Sequence, residues 1–232
     1  MAPPIGGYIP TSFLDYPGCT AAVIFFTGCQ FRCPFCHNPE LVLCEEICER
    51  TEAENILADL KRRAPFLDGV CVTGGEPTLQ SGLIPFLKKI RLLGLKVKLD
   101  TNGALPEVLG QLLSEELLDY VAMDVKAPWA KYPRAGGWTG DISRIAESIS
   151  LLLDSSLSFE FRTTLVPGIH EPDDAPSLGR MTEGAPLYIL QNFRPGKTLD
   201  PAFSSGEPFS EKFLEDFREA LRPFVQSVRI RA

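Results

Sequence analysis

The stretch Thr20-Ala21-Ala22-Val23-Ile24-Phe25-Phe26-Thr27-Gly28-Cys29-Gln30-Phe31-Arg32-Cys33-Pro34-Phe35-Cys36-His37-Asn38 joins an apolar run to a loop with three cysteines. β-Branched and aromatic residues dominate Thr20 to Phe26, the composition of a buried strand. The loop spaces its thiols as C-x3-C-x2-C, and a chain leaving a buried strand can fold them onto one point. Three thiolates hold three irons of a four-iron cluster and leave the fourth open, whereas a cluster that only transfers electrons normally takes four protein ligands. The spacing points to Cys29, Cys33 and Cys36 as ligands of a cluster with chemistry at its open iron. A zinc site of Cys29, Cys33, Cys36 and His37 competes with this reading. Against it, structural zinc ligands usually come as two separated pairs, and neighbours such as Cys36 and His37 seldom reach one ion. Packing as small buried hydrophobes is disfavoured by the interleaved Gly, Arg and Pro.

Working outward, the 232 residues allow one sizeable core, and 44% apolar with 23% charged residues is ordinary for a globular protein. A formal net charge of −7 argues against a nucleic-acid or anionic-membrane surface. The N-terminus carries no basic segment followed by a long apolar one, and no stretch approaches the 18 apolar residues of a membrane helix. An odd number of cysteines, seven, without an export signal points to a reducing compartment, so the expected location is cytoplasmic.

Residues 1–19 read as a turn-rich lead-in, a short hairpin or an arm. After the cysteine loop, residues 39–49 form a connector with Cys44 and Cys48. Thr51 reads as an N-cap, with Glu54 completing a capping box for a helix to about Arg63. A β-α alternation follows: strands at Val70–Thr73, Lys96–Asp100, Tyr120–Met123, Ser158–Val166 and Leu187–Leu190, separated by helical patterns. The expected helices cover residues 82–93, 106–118 with a break near Ser114, 142–154 and, weakly, 172–180. The stretch 127–140 reads as a loop, Ser210 to Leu221 as an amphipathic helix and Val225 to Ile230 as a final strand. Strands spaced by helices imply parallel pairing with right-handed crossovers.

The strand ends carry the polar residues. In order they offer the cysteine loop, Thr73-Gly74-Gly75-Glu76-Pro77, Asp100-Thr101-Asn102-Gly103, Asp124-Val125-Lys126, Arg162 with Val166-Pro167-Gly168, and Gln191-Asn192-Phe193. In a parallel β/α barrel these ends share the ligand-binding face. Gly74 and Gly75 let the backbone approach closely, Glu76 accepts from an amine, and Asp100, Thr101 and Asn102 suit a ribose. Asp124 and Lys126 lie two apart and face one side, as a functional charge pair or a structural salt bridge. Arg162 inside a strand calls for a buried anionic partner. His170 reads as a loop residue and Cys71 as a core thiol.

Together the C-x3-C-x2-C, G-G-E-P, D-T-N-G, D-V-K and R-T-T-L-V-P-G segments resemble the radical S-adenosylmethionine (SAM) superfamily. Within it the chain is similar to glycyl-radical-enzyme activases, most of all to activating proteins of anaerobic ribonucleoside-triphosphate reductase, whose opening Ser12-Phe13-Leu14-Asp15-Tyr16-Pro17-Gly18 also resembles. The resemblance implies an α/β fold, a single-domain partial (β/α)6 barrel over residues 1–232, with a lead-in at 1–19, a barrel core at 20–193 and a C-terminal helix and strand at 194–232. It implies that Cys29, Cys33 and Cys36 ligate a [4Fe-4S] cluster whose open iron takes the amine and carboxylate of SAM. Phe35 and His37 would lie near the adenine, Gly74, Gly75 and Glu76 at the amine, Arg162 and Lys126 at the carboxylate, and Asp100, Thr101 and Asn102 beside the ribose. Relatives often carry a histidine where this chain has Gln191-Asn192, and Gln191 is counted among the ligand contacts. A monovalent cation near Asp100 and Asp124 is a further implication. The implied reaction is reductive cleavage of SAM to a 5′-deoxyadenosyl radical, with a glycyl radical enzyme as partner and a flavodoxin- or ferredoxin-type electron donor. A radical SAM enzyme for a small molecule and a non-enzymatic iron–sulfur or metal-binding module are the alternatives.

Overall fold

The computed structural model describes residues 3–43 and 52–231, so the expectations for Cys44, Cys48 and Thr51 lie outside the described residues. The chain falls into two compact units. One comprises Met1–Gln30, Glu40–Thr101 and Glu107–Val121, and the other Phe31–Pro39, Asn102–Pro106 and Ala122–Ala232. Among the described residues no helix is long and apolar enough to cross a membrane.

In the first unit, β1 (Ile5–Ser12) pairs antiparallel with β2 (Ala21–Phe26), from Ile5 opposite Phe26 to Ser12 opposite Ala21. The lead-in is thus a hairpin arm. Its Tyr8 hydroxyl donates to Asp59 at 2.8 Å, tying the arm to α2 (Ala53–Arg63); the short α1 (Pro39–Leu43) precedes it. β3 (Gly69–Gly74) runs parallel to β2, with Ala21 opposite Gly69 and Phe26 opposite Gly74, and β4 (Lys96–Thr101) runs parallel to β3. Val23, Ile24, Val70, Val72, Val97 and Leu99 are fully buried, so these strands read as near-continuous apolar runs. α2 turns Ala53, Ile56 and Leu60 inward, and α3 (Leu83–Arg91) does the same with Leu83, Phe86, Leu87 and Ile90, at helical spacing. α4 (Pro106–Ser114) stops where the break was expected. β5 (Tyr120–Asp124) begins in this unit and ends in the other.

The second unit contains α5 (Tyr132–Gly136), α6 (Ser143–Leu153), β6 (Ser158–Leu165), α7 (Asp174–Met181), β7 (Tyr188–Asn192), α8 (Glu211–Leu221) and β8 (Val228–Arg231). β6, β7 and β8 are parallel neighbours, with Phe161 opposite Tyr188 and Gln191 opposite Arg231. Ser210 caps α8 by accepting from Phe213 N at 3.3 Å. On α6 the wholly buried Ser148 donates to Gly103 O at 2.7 Å, fixing the end of the D-T-N-G turn.

The G-G-E-P segment owes its glycines to the chain's own backbone. Gly75 N donates to Phe26 O at 2.8 Å and Glu76 N to Gly28 O at 2.7 Å. A Cβ on Gly75 would sit 2.1 Å from Gly28 O, and Gly74, at φ +114°, would put one 2.4 Å from Phe26 N and O. Gly75→Ala should therefore cost about 2 kcal/mol, the overpacking range. That is a fall of about 4–8 °C in thermal midpoint for a chain of this size, and an unchanged melting curve would contradict the close approach.

Candidate active site

The cysteine loop spans the division between the units, with Cys29 in the first and Cys33, Cys36 and His37 in the second. None of the three cysteines is in a disulfide. Within the second unit, Cys36 N donates to Cys33 O at 3.0 Å, closing a turn over Pro34-Phe35. The segment after β7 straps this turn: Leu199 N donates to Cys36 O at 3.0 Å and Asp200 N to Pro34 O at 2.9 Å. His37 Nδ1 donates to Lys197 O at 3.1 Å, and its ring stacks on Phe193 with centroids 5.7 Å apart. Phe35 is buried in the turn and His37 is exposed. Among the described residues no group of three His, Cys, Asp or Glu side chains is placed to hold a metal ion. The ligand set accordingly rests on spacing, the absence of disulfides and loop conformation.

At the end of β5, Asp124 joins two cations. Lys126 Nζ lies 2.8 Å from its Oδ2 and Arg162 Nε 2.9 Å from its Oδ1. The anionic partner that Arg162 demanded as a strand residue is in its own unit. These side chains are 18%, 12% and 29% exposed for Lys126, Arg162 and Asp124. Burial alone would raise the Asp124 pKa, but Arg162 and Lys126 hold the carboxyl well below the usual range. Burial opposes the charge on Lys126, and Asp124 followed by Cys33 keep its pKa above that of an ordinary lysine. Burial pushes the Cys33 thiol up to about 11, with Lys126 acting the other way.

His170 holds the backbone beneath this cluster, a role the sequence does not signal. It is 3% exposed; Val166 N donates to its Nδ1 and its Nε2 donates to Lys126 O, both at 3.0 Å. Accepting at Nδ1 fixes the Nε2–H tautomer, and burial lowers the His170 pKa. Val125 N donates to Arg162 O at 2.8 Å and Thr163 Oγ1 to Val125 O at 2.6 Å, so both backbone polar groups of the residue before Lys126 are held. Asn102 Oδ1 accepts from Ala104 N at 3.0 Å, and half-buried Gln191 faces its register partners Thr164 and Arg231.

In the first unit, Glu76 is buried, and its Oε1 accepts from Thr78 N at 3.1 Å, Thr78 Oγ1 at 2.6 Å and Thr101 Oγ1 at 2.7 Å. Asp100 Oδ2 accepts from Thr73 Oγ1 at 3.3 Å and its Oδ1 pairs with Lys98 Nζ. Lys98, 3% exposed, also lies 3.5 Å from Cys71 Sγ. The G-G-E-P and D-T-N-G segments are thus linked through Glu76 and Thr101.

A profile of the Radical SAM superfamily matches residues 23–175. The chain is 32% identical, over 98% of its length and 95% of the relative, to a Methanocaldococcus jannaschii protein provisionally named a glycyl-radical enzyme activating enzyme. It is 28% identical, over 85% of its length and 79% of the relative, to 7-carboxy-7-deazaguanine synthase of Thermococcus kodakarensis. Among solved structures, TYW1 with a lysine-pyruvate adduct bound matches 88% of this chain and 73% of its own, with a TM-score of 0.63 at 18% identity. That likeness shows a shared α/β fold.

Asp124→Asn removes the carboxylate that two cations share and should cost about 2 kcal/mol, below the range for fully buried pairs because these groups are partly exposed. The folded Asp124 pKa is depressed, so its stabilisation is complete above the unfolded value of about 3.9 and is lost as pH falls through the folded value. In urea titrations the gap between wild type and variant should hold from pH 7 to pH 5 and narrow below pH 4. A gap independent of pH would contradict the ionised carboxylate as its source.

Proposed function

The chain belongs to the Radical SAM superfamily, and we propose that it activates a glycyl radical enzyme, using a [4Fe-4S] cluster on Cys29, Cys33 and Cys36 to cleave SAM. The family is one of oxidoreductase-type enzymes, and membership implies the cluster and SAM. The donor set fits the cluster: three cysteines outside any disulfide on one short loop, with the cation of Lys126 acting on the Cys33 sulfur. The observation that carries the reading is the pair Lys126 and Arg162 held at fixed positions by Asp124. Two oriented cations in a sheltered place suit the carboxylate of an amino acid.

When bound to Cys29, Cys33 and Cys36, a [4Fe-4S] cluster would supply the electron for reductive cleavage of SAM, and SAM the means of removing a hydrogen atom from Cα of a glycine. The chain's own residues bind and orient. Lys126 and Arg162 hold the methionyl carboxylate, and Gly74, Gly75 and Glu76 receive the amine. Asp100, Thr101 and Asn102 face the ribose, and Phe35, His37 and Gln191 bound the adenine side. Asp100 and Asp124, the expected neighbours of a monovalent cation, already face an ammonium or guanidinium group within their own units. Their carboxylates orient those cations. The electron donor would be of flavodoxin or ferredoxin type, in a reducing cytoplasm.

Identity along almost the whole chain to the Methanocaldococcus jannaschii relative supports the activase reading. A second reading, a small-molecule substrate, draws on the similarity to 7-carboxy-7-deazaguanine synthase. Protein reconstituted anaerobically with iron and sulfide, then given SAM and dithionite, should release 5′-deoxyadenosine, and Cys33→Ala should lower the yield at least 100-fold. Adding an anaerobic ribonucleotide reductase from the same cells should produce a glycyl radical signal in electron paramagnetic resonance (EPR). 5′-Deoxyadenosine without that signal, together with turnover of a purine-like metabolite, would favour the second reading. Equal yield from Cys33→Ala would sink the cluster assignment.

A further inference from the structure

The stretch that reads as an open loop contains α5, and this short helix grips the cysteine loop within the second unit. Gly136 O accepts from Arg32 N at 2.8 Å and lies 3.7 Å from Cys33 Sγ. The Phe31 ring meets Tyr132 edge-on at 6.3 Å and stacks on Trp138 at 4.9 Å. A Cβ on Gly137, which follows at φ +54°, would lie 2.1 Å from Arg32 O. The loop cannot slide along α5 without breaking several of these contacts.

Tyr132, the first residue of α5, is wholly buried, and its hydroxyl has no hydrogen-bond partner of acceptable geometry among the described residues. The Lys126 backbone and ammonium, Cys33 and Asp124 set its electrostatic surroundings. Burial raises its pKa, so the phenol stays protonated and able to donate. The other wholly buried tyrosine, Tyr188, has a partner in Thr163 Oγ1 at 2.6 Å. A buried donor with no acceptor calls for an explanation, and a ligand missing from the structure is one.

Cys33 has the complementary need. As a thiol it directs its hydrogen at Gly136 O, but a sulfur bound to iron has no hydrogen to give. We propose that the Tyr132 hydroxyl donates a hydrogen bond to the sulfur that Cys33 contributes to the cluster, and so makes the cluster easier to reduce. Hydrogen bonds to cluster sulfurs are one of the protein's means of setting the reduction potential. This inference rests on Cys33 being a cluster ligand.

The test is a potentiometric titration of the full-length reconstituted protein, followed by EPR of the reduced cluster. Tyr132→Phe should keep the iron and sulfide content of wild type while its midpoint falls by about 59 mV, equivalent to tenfold in a one-electron equilibrium. Fluorotyrosine placed at position 132 keeps the shape, is a stronger donor and should move the midpoint upward, which decides the matter if Tyr132→Phe folds poorly. Equal midpoints in wild type and the fluorotyrosine protein, at equal iron content, would overturn the inference. A wild-type protein with no four-iron EPR signal would instead overturn the cluster assignment and the inference with it.

Discussion

A carboxylate shared by two cations sets the geometry on which the rest depends. Asp124 orients Lys126 and Arg162 at once, and the chain around it is held by Val125 N to Arg162 O, Thr163 to Val125 O and His170 to Lys126 O. A charged side chain held on a saturated backbone loses little entropy when it takes up a ligand, which is what preorganisation means in energetic terms. The arrangement also acts on Cys33. Burial disfavours its thiolate, and the nearby ammonium partly offsets that.

The first unit applies a different constraint with the same purpose. Backbone approaches at Gly74 and Gly75 leave no room for a Cβ and lock the G-G-E-P segment to the end of β2, from which the cysteine loop departs. Glu76 then collects three hydrogen bonds on one oxygen, including one from Thr101. A carboxylate fixed by hydroxyls and a backbone N–H keeps its direction, which the role proposed for it toward an amine needs.

Much of this was legible in the sequence because the signals are local. The apolar run Ala21–Phe26, the alternation of strands and helices and the thiol spacing each sit within one short window, and β2 to β7 lie within a residue or two of where they were expected, while β8 begins three residues later than expected. What escaped depends on partners far along the chain. A five-residue helix built from Tyr-Pro-Arg-Ala-Gly has no periodicity to detect, so α5 reads as loop. Nothing local marks Lys98 as buried, and it is so because Asp100 and Cys71 meet it there. His170 sits between Ile169 and Glu171 after a Pro-Gly turn, and only the fold reveals that its ring bridges Val166 and Lys126. The lead-in left hairpin and arm as alternatives because its strand is interrupted by Pro10 and pairs with shifts in register.

The claim at the centre of this account is that three cysteines hold a four-iron cluster and leave one iron for the ligand. The Mössbauer spectrum of protein reconstituted with iron-57, recorded before and after SAM is added, tests it most directly. The account predicts that one iron in four changes its isomer shift on binding while the other three stay as they were. A spectrum in which all four irons are unmoved by SAM, or a protein that retains only zinc, would contradict it.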